Sequence, residues 1–277
     1  MISVIILTAT GLSLALAIGL VVHFFGVKPD PKLEAISPLM PGANCGGCSF
    51  AGCNAYAAAM AAGQAKPGLC PSMNNETLDK ISEILGVQAE KVIPPMAIVL
   101  CSGDHDHAID CAGYNGVTDC TSANTVAGGG KACAFGCLGM GTCSRICPWG
   151  AIEMVNGIAK VHWELCVGCG KCVAACPRHL IKLVPRTAEV HVFCSSPEPF
   201  KVKKEACSVA CIGCRKCGRA TQPDQMTFNG SLAAVNYENV PASSVCEVCP
   251  TKCLRTTDAP IPPQPSKPAP IQAETTK

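Results

Sequence analysis

The sequence predicts an α+β protein made of several small units rather than one large apolar core. Three observations predict this class: 23 cysteines in 277 residues, an N-terminal stretch without Lys, Arg, Asp or Glu, and two Asn-Gly hairpins among the cysteine runs. The chain has only 2 Trp, 3 Tyr and 7 Phe, so something other than hydrophobic burial must hold much of it together. A formal net charge of +2 excludes a broad basic surface, and nucleic acid is therefore not expected as a partner.

The first 27 residues are expected to form a transmembrane helix. Residues 2–27 contain no Lys, Arg, Asp or Glu, and 26 residues at about 1.5 Å each exceed the roughly 30 Å hydrocarbon core of a bilayer. A cleaved signal peptide is the weaker interpretation, because no basic residue precedes the apolar run and no A-x-A-like site ends it. Lys28 and Lys32 follow directly, so the positive-inside rule places the rest of the chain in the cytoplasm. Thiols seldom pair in that compartment, and cysteine spacing there indicates metal ligation.

The remainder of the chain divides into units by composition. In chain order we expect a membrane anchor (1–27), a Pro-rich spacer (28–41), a small helical cysteine-bearing unit (42–95), a connector (96–130), two copies of one cysteine-bearing unit (131–187 and 188–254) and a Pro-rich disordered tail (255–277). In the helical unit, one helix is expected near Asn54–Ala62, ending at Gly63, and a second near Leu78–Leu85 with Asn75 as N-cap.

Each copy of the repeated unit contains a predicted hairpin. The hairpins span residues 152–161 and 226–235, and Asn156-Gly157 and Asn229-Gly230 stand at their centres. Asn-Gly supplies the two positive-φ positions of a tight turn between antiparallel strands.

The strongest motif is the run from Cys166 to Cys176-Pro177. It reads C-x2-C-x2-C-x3-C-P, the run of bacterial two-cluster ferredoxins, in which the fourth cysteine ligates the other cluster. Zinc prefers two separated pairs of ligands to four cysteines in so short a run, so iron–sulfur ligation is favoured over a zinc knuckle.

The partner run lies upstream and ends in the same way. Its spacing is C-x3-C-x5-C-x3-C-P, from Cys133 to Cys147-Pro148. Exchange of the fourth ligands predicts two close [4Fe–4S] clusters. The expected ligand sets are Cys133, Cys137, Cys143 and Cys176 for one cluster, and Cys166, Cys169, Cys172 and Cys147 for the other.

A third [4Fe–4S] cluster is expected in the helical unit. Its four ligands would be Cys45, Cys48, Cys53 and Cys70, the last followed by Pro71. Small residues such as Gly46 and Gly47 permit close approach of the backbone. Zinc is the alternative for this set.

The second copy of the repeated unit is degenerate and is expected to hold one cluster. Thr221, Val240 and Ser243 stand where three ligands of its second cluster would fall. The expected ligands of the remaining cluster are Cys211, Cys214, Cys217 and Cys249, with Cys246 or Cys253 as alternatives to Cys249.

The total is four [4Fe–4S] clusters, with seven cysteines left over. The unassigned cysteines are Cys101, Cys111, Cys120, Cys194, Cys207, Cys246 and Cys253. Most are expected to be buried thiols that behave as small apolar side chains. A further site built from the first three of them is an alternative.

Other motifs carry less weight. Gly128–Lys131 resembles a phosphate loop, but Thr125 and Ala132 stand where a P-loop needs Gly and Ser or Thr, and no nucleotide-binding fingerprint is present.

The segment Asp104–His107 is expected to be a solvated loop in preference to a divalent-metal site. No nucleophile–base pair is evident, so the sequence predicts electron transfer without catalytic residues of its own.

Taken together, these residues resemble the B subunit of the Rnf complex, the membrane-bound ferredoxin–NAD oxidoreductase that pumps sodium ions or protons. The resemblance covers nearly the whole chain, including the cysteine runs above and the stretches Val99-Leu-Cys-Ser-Gly103, Asp119-Cys120, Gly136-Cys-Leu-Gly-Met-Gly141 and Cys249-Pro-Thr-Lys-Cys253. An intact eight-cysteine second copy is not implied, because this chain departs from that pattern at Thr221, Val240 and Ser243.

The resemblance implies one subunit of a redox-driven translocase in a bacterial inner membrane. It would be anchored by a single span, with its bulk in the cytoplasm, and would take electrons from reduced soluble ferredoxin. It would pass them towards membrane and flavin-bearing subunits, with NAD and flavin bound elsewhere in the complex. A membrane-tethered polyferredoxin that serves another reductase or a hydrogenase is the alternative, and a metal-stapled scaffold without redox function is a third interpretation.

Overall fold

The computed structural model describes residues 2–25, 30–89 and 95–262, and it describes side chains of the first helix at residues 6–21, 23 and 24. The α-helices of the described residues are α1 Ile2–Phe25, α2 Pro31–Ile36, α3 Cys53–Ala61, α4 Asn75–Leu85, α5 Cys120–Thr125, α6 Thr142–Ile146, α7 Lys171–Ala175, α8 Phe200–Ala206 and α9 Lys216–Arg219. The strands are β1 Pro95–Val99, β2 Ile152–Val155, β3 Ile158–Val161, β4 Ile181–Pro185, β5 Val190–Val192, β6 Met226–Asn229, β7 Leu232–Val235 and β8 Leu254–Thr256.

Two units of the same topology form most of the structure. In the first, β1 and β4 pair in antiparallel fashion and enclose the β2–β3 hairpin in sequence. In the second, β5 and β8 pair and enclose the β6–β7 hairpin. Each two-stranded sheet is too small to be stable alone, so side-chain packing and ligation must support it.

The first unit begins earlier than the composition predicts. The expected connector at 96–130 is wrong at its start, because Met96–Val99 belongs to β1 and pairs with residues 181–184 of β4. The side chains of residues 96–99 are all buried. Burial on both faces removes the alternation by which a strand is identified in a sequence.

The expected disordered tail is also wrong at its start. Arg255 and Thr256 belong to β8, and the buried Arg255 guanidinium lies 4.7 Å from the centre of the Phe193 ring. Ile261 packs against the core of the first unit. Residues 263–277 of the predicted tail lie outside the described residues.

The helical unit extends into the expected spacer. Asp30 caps α2 by accepting a hydrogen bond from the Lys32 amide at 2.9 Å, and Pro31 occupies the first turn. Ile36 is fully buried with Tyr56 and Ile81 from the helices that follow. The prolines therefore start a helix here instead of forming an extended spacer, and residues 28 and 29 lie outside the described residues.

The two helices predicted in this unit are present, with one correction at a cap. Helix α3 ends before Ala62, and Gly63, where the helix is predicted to end, has a left-handed conformation with a φ of 70°. Helix α4 begins at Asn75, but the capping side chain is that of Asn74, whose Oδ1 accepts from the Thr77 amide at 2.8 Å.

Both hairpins are present, but their turns differ. Asn156 and Gly157 have φ values of 46° and 78°, as an Asn-Gly turn requires. In the second hairpin Asn229 is the last strand residue, and Gly230, with a φ of 59°, begins the turn. The predicted pair of positive-φ residues is therefore wrong for the second hairpin, where Ser231 takes the second turn position.

Helix α1 is continuous from Ile2 to Phe25. Among the described residues, no helix combines the length and the apolarity needed to cross a membrane. The membrane-anchor prediction for residues 1–27 includes residues outside the described ranges and stays a prediction.

The cap of α4 can be tested by hydrogen exchange. We expect Asn74→Ala to speed exchange of the first-turn amides of α4 several-fold, because an N-cap is worth about 1 kcal/mol. Asn75→Ala is the matched control and should leave that exchange unchanged. Mass spectrometry of peptides covering residues 74–80 measures both, and a larger effect of the Asn75 variant would contradict the observed cap.

Candidate iron–sulfur sites

Three cysteines that precede a proline share one backbone geometry. Cys147 follows α6, Cys176 follows α7, and Cys249 follows a 3-10 helix at Ser243–Val248. Their φ/ψ values are −74°/110°, −85°/108° and −78°/112°. A short helix that stops at Cys-Pro therefore presents the fourth thiol of each run in the same way, as proline favours an extended residue before it.

The residues before these helices adopt the left-handed conformation. Gly141 and Gly170 precede α6 and α7 with φ values of 73° and 78°. In the degenerate unit the corresponding residue, before α9, is Arg215 with a φ of 57°. Glycine allows this reversal without strain, so the first unit is better suited to it than the second.

We number the four candidate cysteine sites 1 to 4 and describe site 1, in the helical unit, last. Site 2 is a cavity lined by Cys147, Cys166, Cys169 and Cys172. The structure thus brings together one complete set that the sequence predicts. The Cys166 sulfur accepts a hydrogen bond from the Ala97 amide at 3.3 Å. Burial, and then the sulfurs of neighbouring cysteines in and beside this set, raise the pKa of Cys172 to about 12.

A buried donor in site 2 fits an iron–sulfur cluster. Trp149 lines the same cavity, and its buried indole Nε1 has no hydrogen-bond partner among the described residues. An unpaired buried donor costs about 1–3 kcal/mol. A cluster sulfur would supply the acceptor, and four thiols are the donor set that [4Fe–4S] clusters use.

Site 3 is a cavity lined by Cys120, Cys137, Cys143 and Cys176. Burial, and then the sulfurs of the other three members, raise the pKa of Cys143 to about 12. The Leu180 amide donates to the Cys176 sulfur at 3.5 Å. As predicted, Cys176 lies with the upstream run and Cys147 with the downstream run.

One cysteine of the expected set lies outside site 3. The structure places Cys133 in the lining of a separate cavity, and Cys120 lines site 3 with Cys137, Cys143 and Cys176. The C-x3-C spacing of Cys133 and Cys137 suggests a shared site, but the chain directs the two side chains to different cavities.

A polar contact holds Cys120 in site 3. Asp119 caps α5 and accepts from the Thr142 hydroxyl at 2.9 Å, while the Cys120 amide donates to that hydroxyl at 2.8 Å. Thr142 immediately precedes Cys143, so the two thiols are fixed beside each other. The Asp-Cys pair is the only sequence signal for this ligand, and its role depends on a contact distant in sequence.

Site 4 is a cavity in the second unit. Its cysteine lining consists of Cys211, Cys214, Cys217, Cys249 and Cys253. Burial, and then the charges of Cys211, Cys214 and Cys249, raise the pKa of Cys217. Cys246 does not line the cavity, and the Leu254 amide donates to the Cys249 sulfur at 3.5 Å. The lining excludes Cys246 but retains both Cys249 and Cys253. The backbone geometry that Cys249 shares with Cys147 and Cys176 favours Cys249 as the fourth ligand.

The positions that lost cysteines serve local structure instead. The Thr221 hydroxyl donates to the Cys217 carbonyl at 3.0 Å, beside the end of α9. Val240 packs against the core of the second unit, and Ser243 begins the 3-10 helix.

We name the predicted set of Cys45, Cys48, Cys53 and Cys70 site 1, and two of its members, Cys48 and Cys70, belong to one apolar cluster. The Cys53 amide begins α3 and donates to the Asn44 side chain at 2.8 Å. Tyr56 lies beside two members of the set: burial, and then the charges of Cys70 and Cys48, raise the pKa of its hydroxyl. That hydroxyl donates to the Lys66 carbonyl at 2.8 Å, which holds the loop before Cys70 against α3.

The alternative site of Cys101, Cys111 and Cys120 is not formed. Cys111 is exposed and donates to the Gly130 carbonyl at 3.1 Å, while Cys101 and Cys120 line different cavities. Among the described residues, no three His, Cys, Asp or Glu side chains converge as ligands of a single metal ion.

The segment Asp104–His107 is only half of the expected solvated loop. His105 and Asp106 are exposed, but Asp104 and His107 are buried. The His107 Nδ1 lies 2.6 Å from the Asp104 carboxylate, and its Nε2 lies 2.8 Å from the Pro262 carbonyl. The pair is a structural hydrogen-bonded contact between the first unit and the end of the described chain.

Two family models match the cysteine-bearing segments. A model described as an Fe-S cluster family matches residues 40–72, which include site 1. The LdpA Fe-S cluster-binding domain matches residues 133–187, which include site 2 and most of site 3.

Curated relatives resemble almost the whole chain. The B subunit of the ion-translocating oxidoreductase complex of Methanosarcina acetivorans is 35% identical over 91% of this chain and 96% of its own length. The B subunit of the Na(+)-translocating ferredoxin:NAD(+) oxidoreductase complex of Acetobacterium woodii is 36% identical over 90% of this chain and 75% of its own. The corresponding subunit of the proton-translocating ferredoxin:NAD(+) oxidoreductase complex of Clostridium ljungdahlii is 35% identical over 90% of this chain and 88% of its own.

The fourth ligand of site 4 can be identified by iron content. We expect Cys249→Ala to lower the iron of anaerobically purified protein by about four atoms per chain, because alanine offers no ligand atom. Cys246→Ala is the matched control from the same 3-10 turn and should lose no iron. The assignment is wrong if the two variants behave in the opposite way.

Because Cys120, and not Cys133, lines site 3, a second difference in iron content is expected. We expect Cys120→Ala to lose about four iron atoms per chain. Cys111→Ala, which removes an exposed thiol from the same segment, should lose none. Full retention of iron by the Cys120 variant would exclude this residue from site 3.

Proposed function

Because the chain belongs to the family of B subunits of ion-translocating ferredoxin:NAD oxidoreductase complexes, we propose that it relays electrons through [4Fe–4S] clusters at sites 1 to 4. The four sites account for sixteen cysteines, so the proposal predicts about sixteen iron atoms per chain at these sites. The matches to two Fe-S cluster families support iron–sulfur chemistry at site 1 and at sites 2 and 3.

The observation that carries the proposal is the contact between successive sites. Cys45 of site 1 lies close enough to Cys169 of site 2 to influence its thiol, and a Cβ placed on Gly47 would lie 3.2 Å from the Cys169 Cα. Cys143 of site 3 influences Cys172 of site 2 in the same way. Close neighbours are what electron tunnelling needs, whereas structural metal sites have no need of one another.

Iron–sulfur clusters, when bound, take up and release single electrons at potentials that the surrounding hydrogen bonds, charge and solvent exposure determine. The protein contributes backbone donors to the ligand sulfurs. The amides of Ala97, Leu180 and Leu254 each donate to a ligand sulfur of a different site, at 3.3–3.5 Å. Such donors stabilise negative charge at sulfur and so favour the reduced state.

A half-buried cation adds to this effect. Arg178 follows Cys176-Pro177 and donates to the carbonyls of Cys133, Gly136 and Gly128 at 2.7–3.0 Å. Its guanidinium therefore fixes the loop that carries Cys133 and Cys137 and places a positive charge beside site 3. Relay of an electron forms and breaks no bond, so positioning and electrostatics are the whole contribution of the protein.

We infer that the electron donor is a reduced ferredoxin and that the acceptors are membrane and flavin-bearing subunits of the complex. The names of the Acetobacterium and Clostridium relatives, which include ferredoxin and NAD(+), support the first inference. The shared subunit designation supports the presence of further subunits.

Helix α1 is proposed as a single-span anchor that leaves the rest of the chain in the cytoplasm. Its described large apolar side chains, from Ile6 to Phe24, are exposed, and no Lys, Arg, Asp or Glu occurs from Ile2 to Val27. Exposed apolar surface of this extent is unfavourable in water and favourable in lipid. Lys28 and Lys32 give the orientation.

The donor can be tested with a reduced two-cluster ferredoxin under oxygen-free conditions. We expect mixing to oxidise the ferredoxin and to reduce the relay protein, measured by freeze-quench EPR. Protein from which iron has been chelated is the control and should leave the ferredoxin reduced. A ferredoxin that remains reduced beside the iron-loaded protein would contradict the proposed direction of transfer.

The anchor predicts a fractionation result. The full-length chain should remain in the membrane pellet after an alkaline carbonate wash, and a variant without residues 2–25 should be released. Equal iron content in the two proteins shows that the deletion leaves the cytoplasmic part folded. Release of the full-length chain by carbonate would exclude a spanning helix.

A further inference from the structure

Four cysteines that belong to none of sites 1 to 4 line one cavity. They are Cys101, Cys133, Cys194 and Cys207. Only Cys133 belongs to a predicted ligand set, and it does not line the cavity of the other three members of that set. Cys101 also borders a wide neighbouring cleft, which contains no other cysteine among the described residues.

Separate elements bring these thiols together. Cys101 follows β1, and Cys194 follows β5 in the second unit. Cys207 ends α8 and forms a bridge with Ala108. The cavity therefore lies between the two repeated units and is lined by both.

A glycine faces two of the sulfurs. A Cβ placed on Gly103 would lie 3.1 Å from the Ala108 Cβ, 3.5 Å from the Cys207 sulfur and 3.8 Å from the Cys101 sulfur. Both sulfurs thus lie near the same face of the Gly103 backbone. Close approach of backbone to a bound group is a common reason for glycine at such a position.

Backbone donors point at the cavity thiols, as they do at sites 2 to 4. The amides of Gly103 and Cys137 both donate to the Cys101 sulfur at 3.4 Å. Two donors on one sulfur stabilise a thiolate, the form in which cysteine binds metals.

Two buried ammonium groups also line the cavity. Lys131 is 8% exposed and donates to the carbonyls of Gly103 and Cys137 at 2.6 and 3.0 Å. Lys203 is 2% exposed and donates to the Ser231 carbonyl at 2.7 Å. Neither forms an ion pair with a carboxylate of the described residues, although Glu198 lines the same cavity. Buried cations require a compensating negative charge.

We propose that Cys101, Cys133, Cys194 and Cys207 are the ligands of a fifth [4Fe–4S] cluster, at a location named site 5. Four thiolates and the cluster they hold supply the negative charge that Lys131 and Lys203 otherwise lack. The existence of the site rests on this geometry, and its identity as an iron–sulfur site rests on the proposed function.

Site 5 connects the two halves of the relay. On one side, the Cys137 amide that donates to Cys101 belongs to a ligand of site 3. On the other side, the buried Cys253 thiol is in hydrogen-bonding contact with the sulfurs of Cys194 and Cys211, the latter a ligand of site 4. The order of neighbouring sites is therefore 1, 2, 3, 5 and 4, and site 4 reaches the others through site 5.

Iron and zinc analysis of the intact, anaerobically purified protein tests the proposal. Five clusters predict about twenty iron atoms per chain, and four predict about sixteen. Cys194→Ala and Cys207→Ala should each lose about one fifth of the iron, while Cys111→Ala should lose none. Gly103→Val keeps every thiol, and its side chain should displace the same fifth of the iron.

The possible results distinguish a failure of site 5 from a failure of the proposed electron relay. Iron near sixteen in the unsubstituted protein, unchanged by Cys194→Ala, overturns site 5 and leaves the four-site relay intact. Loss of one zinc per chain in the Cys194 variant, without loss of iron, also overturns it. Protein that contains little iron at all contradicts the proposed function rather than site 5 alone. The count on the unsubstituted protein decides the matter even if a variant fails to fold.

Discussion

Ligation by thiols from distant segments is the constraint on which this fold depends. Each repeated unit consists of two-stranded sheets and helices of four to seven residues, which are too short to be stable alone. Cys147 and Cys176 cross between the two runs of the first unit, so sites 2 and 3 each tie together both halves of it. Cluster binding and folding are therefore expected to be coupled, as for other small metal-ligating domains.

The same constraint explains why the sites are close. A cysteine run that supplies three ligands to one site and one to its neighbour cannot place the two far apart. The short helices end at Cys-Pro with nearly equal dihedral angles, so one local structure is used three times. The second unit lacks three of the cysteines that a second site would need, but Cys249 retains the same backbone geometry.

The sequence predicts what is local and misses what is distant. The Cys-Pro runs and the first Asn-Gly turn carry their own signals, and they predict two copies of one unit with a hairpin in each, but not the outer strand pairs. Strand β1 was missed because burial on both faces hides its period, and Cys120 was missed because the Asp119–Thr142 hydrogen bond that positions it joins separate segments. The prediction for Cys133 rests on its short spacing to Cys137, which suggests a shared site. In the structure the two residues line different cavities.

The central claim is that neighbouring clusters lie close enough to exchange electrons. EPR of the fully reduced, oxygen-free protein tests it most directly, because paramagnetic clusters at short distances couple magnetically. The account predicts broadened, interacting signals at the lowest temperatures, in place of a sum of simple isolated spectra. Well-resolved signals of independent clusters, or a colourless protein without any signal, would contradict it.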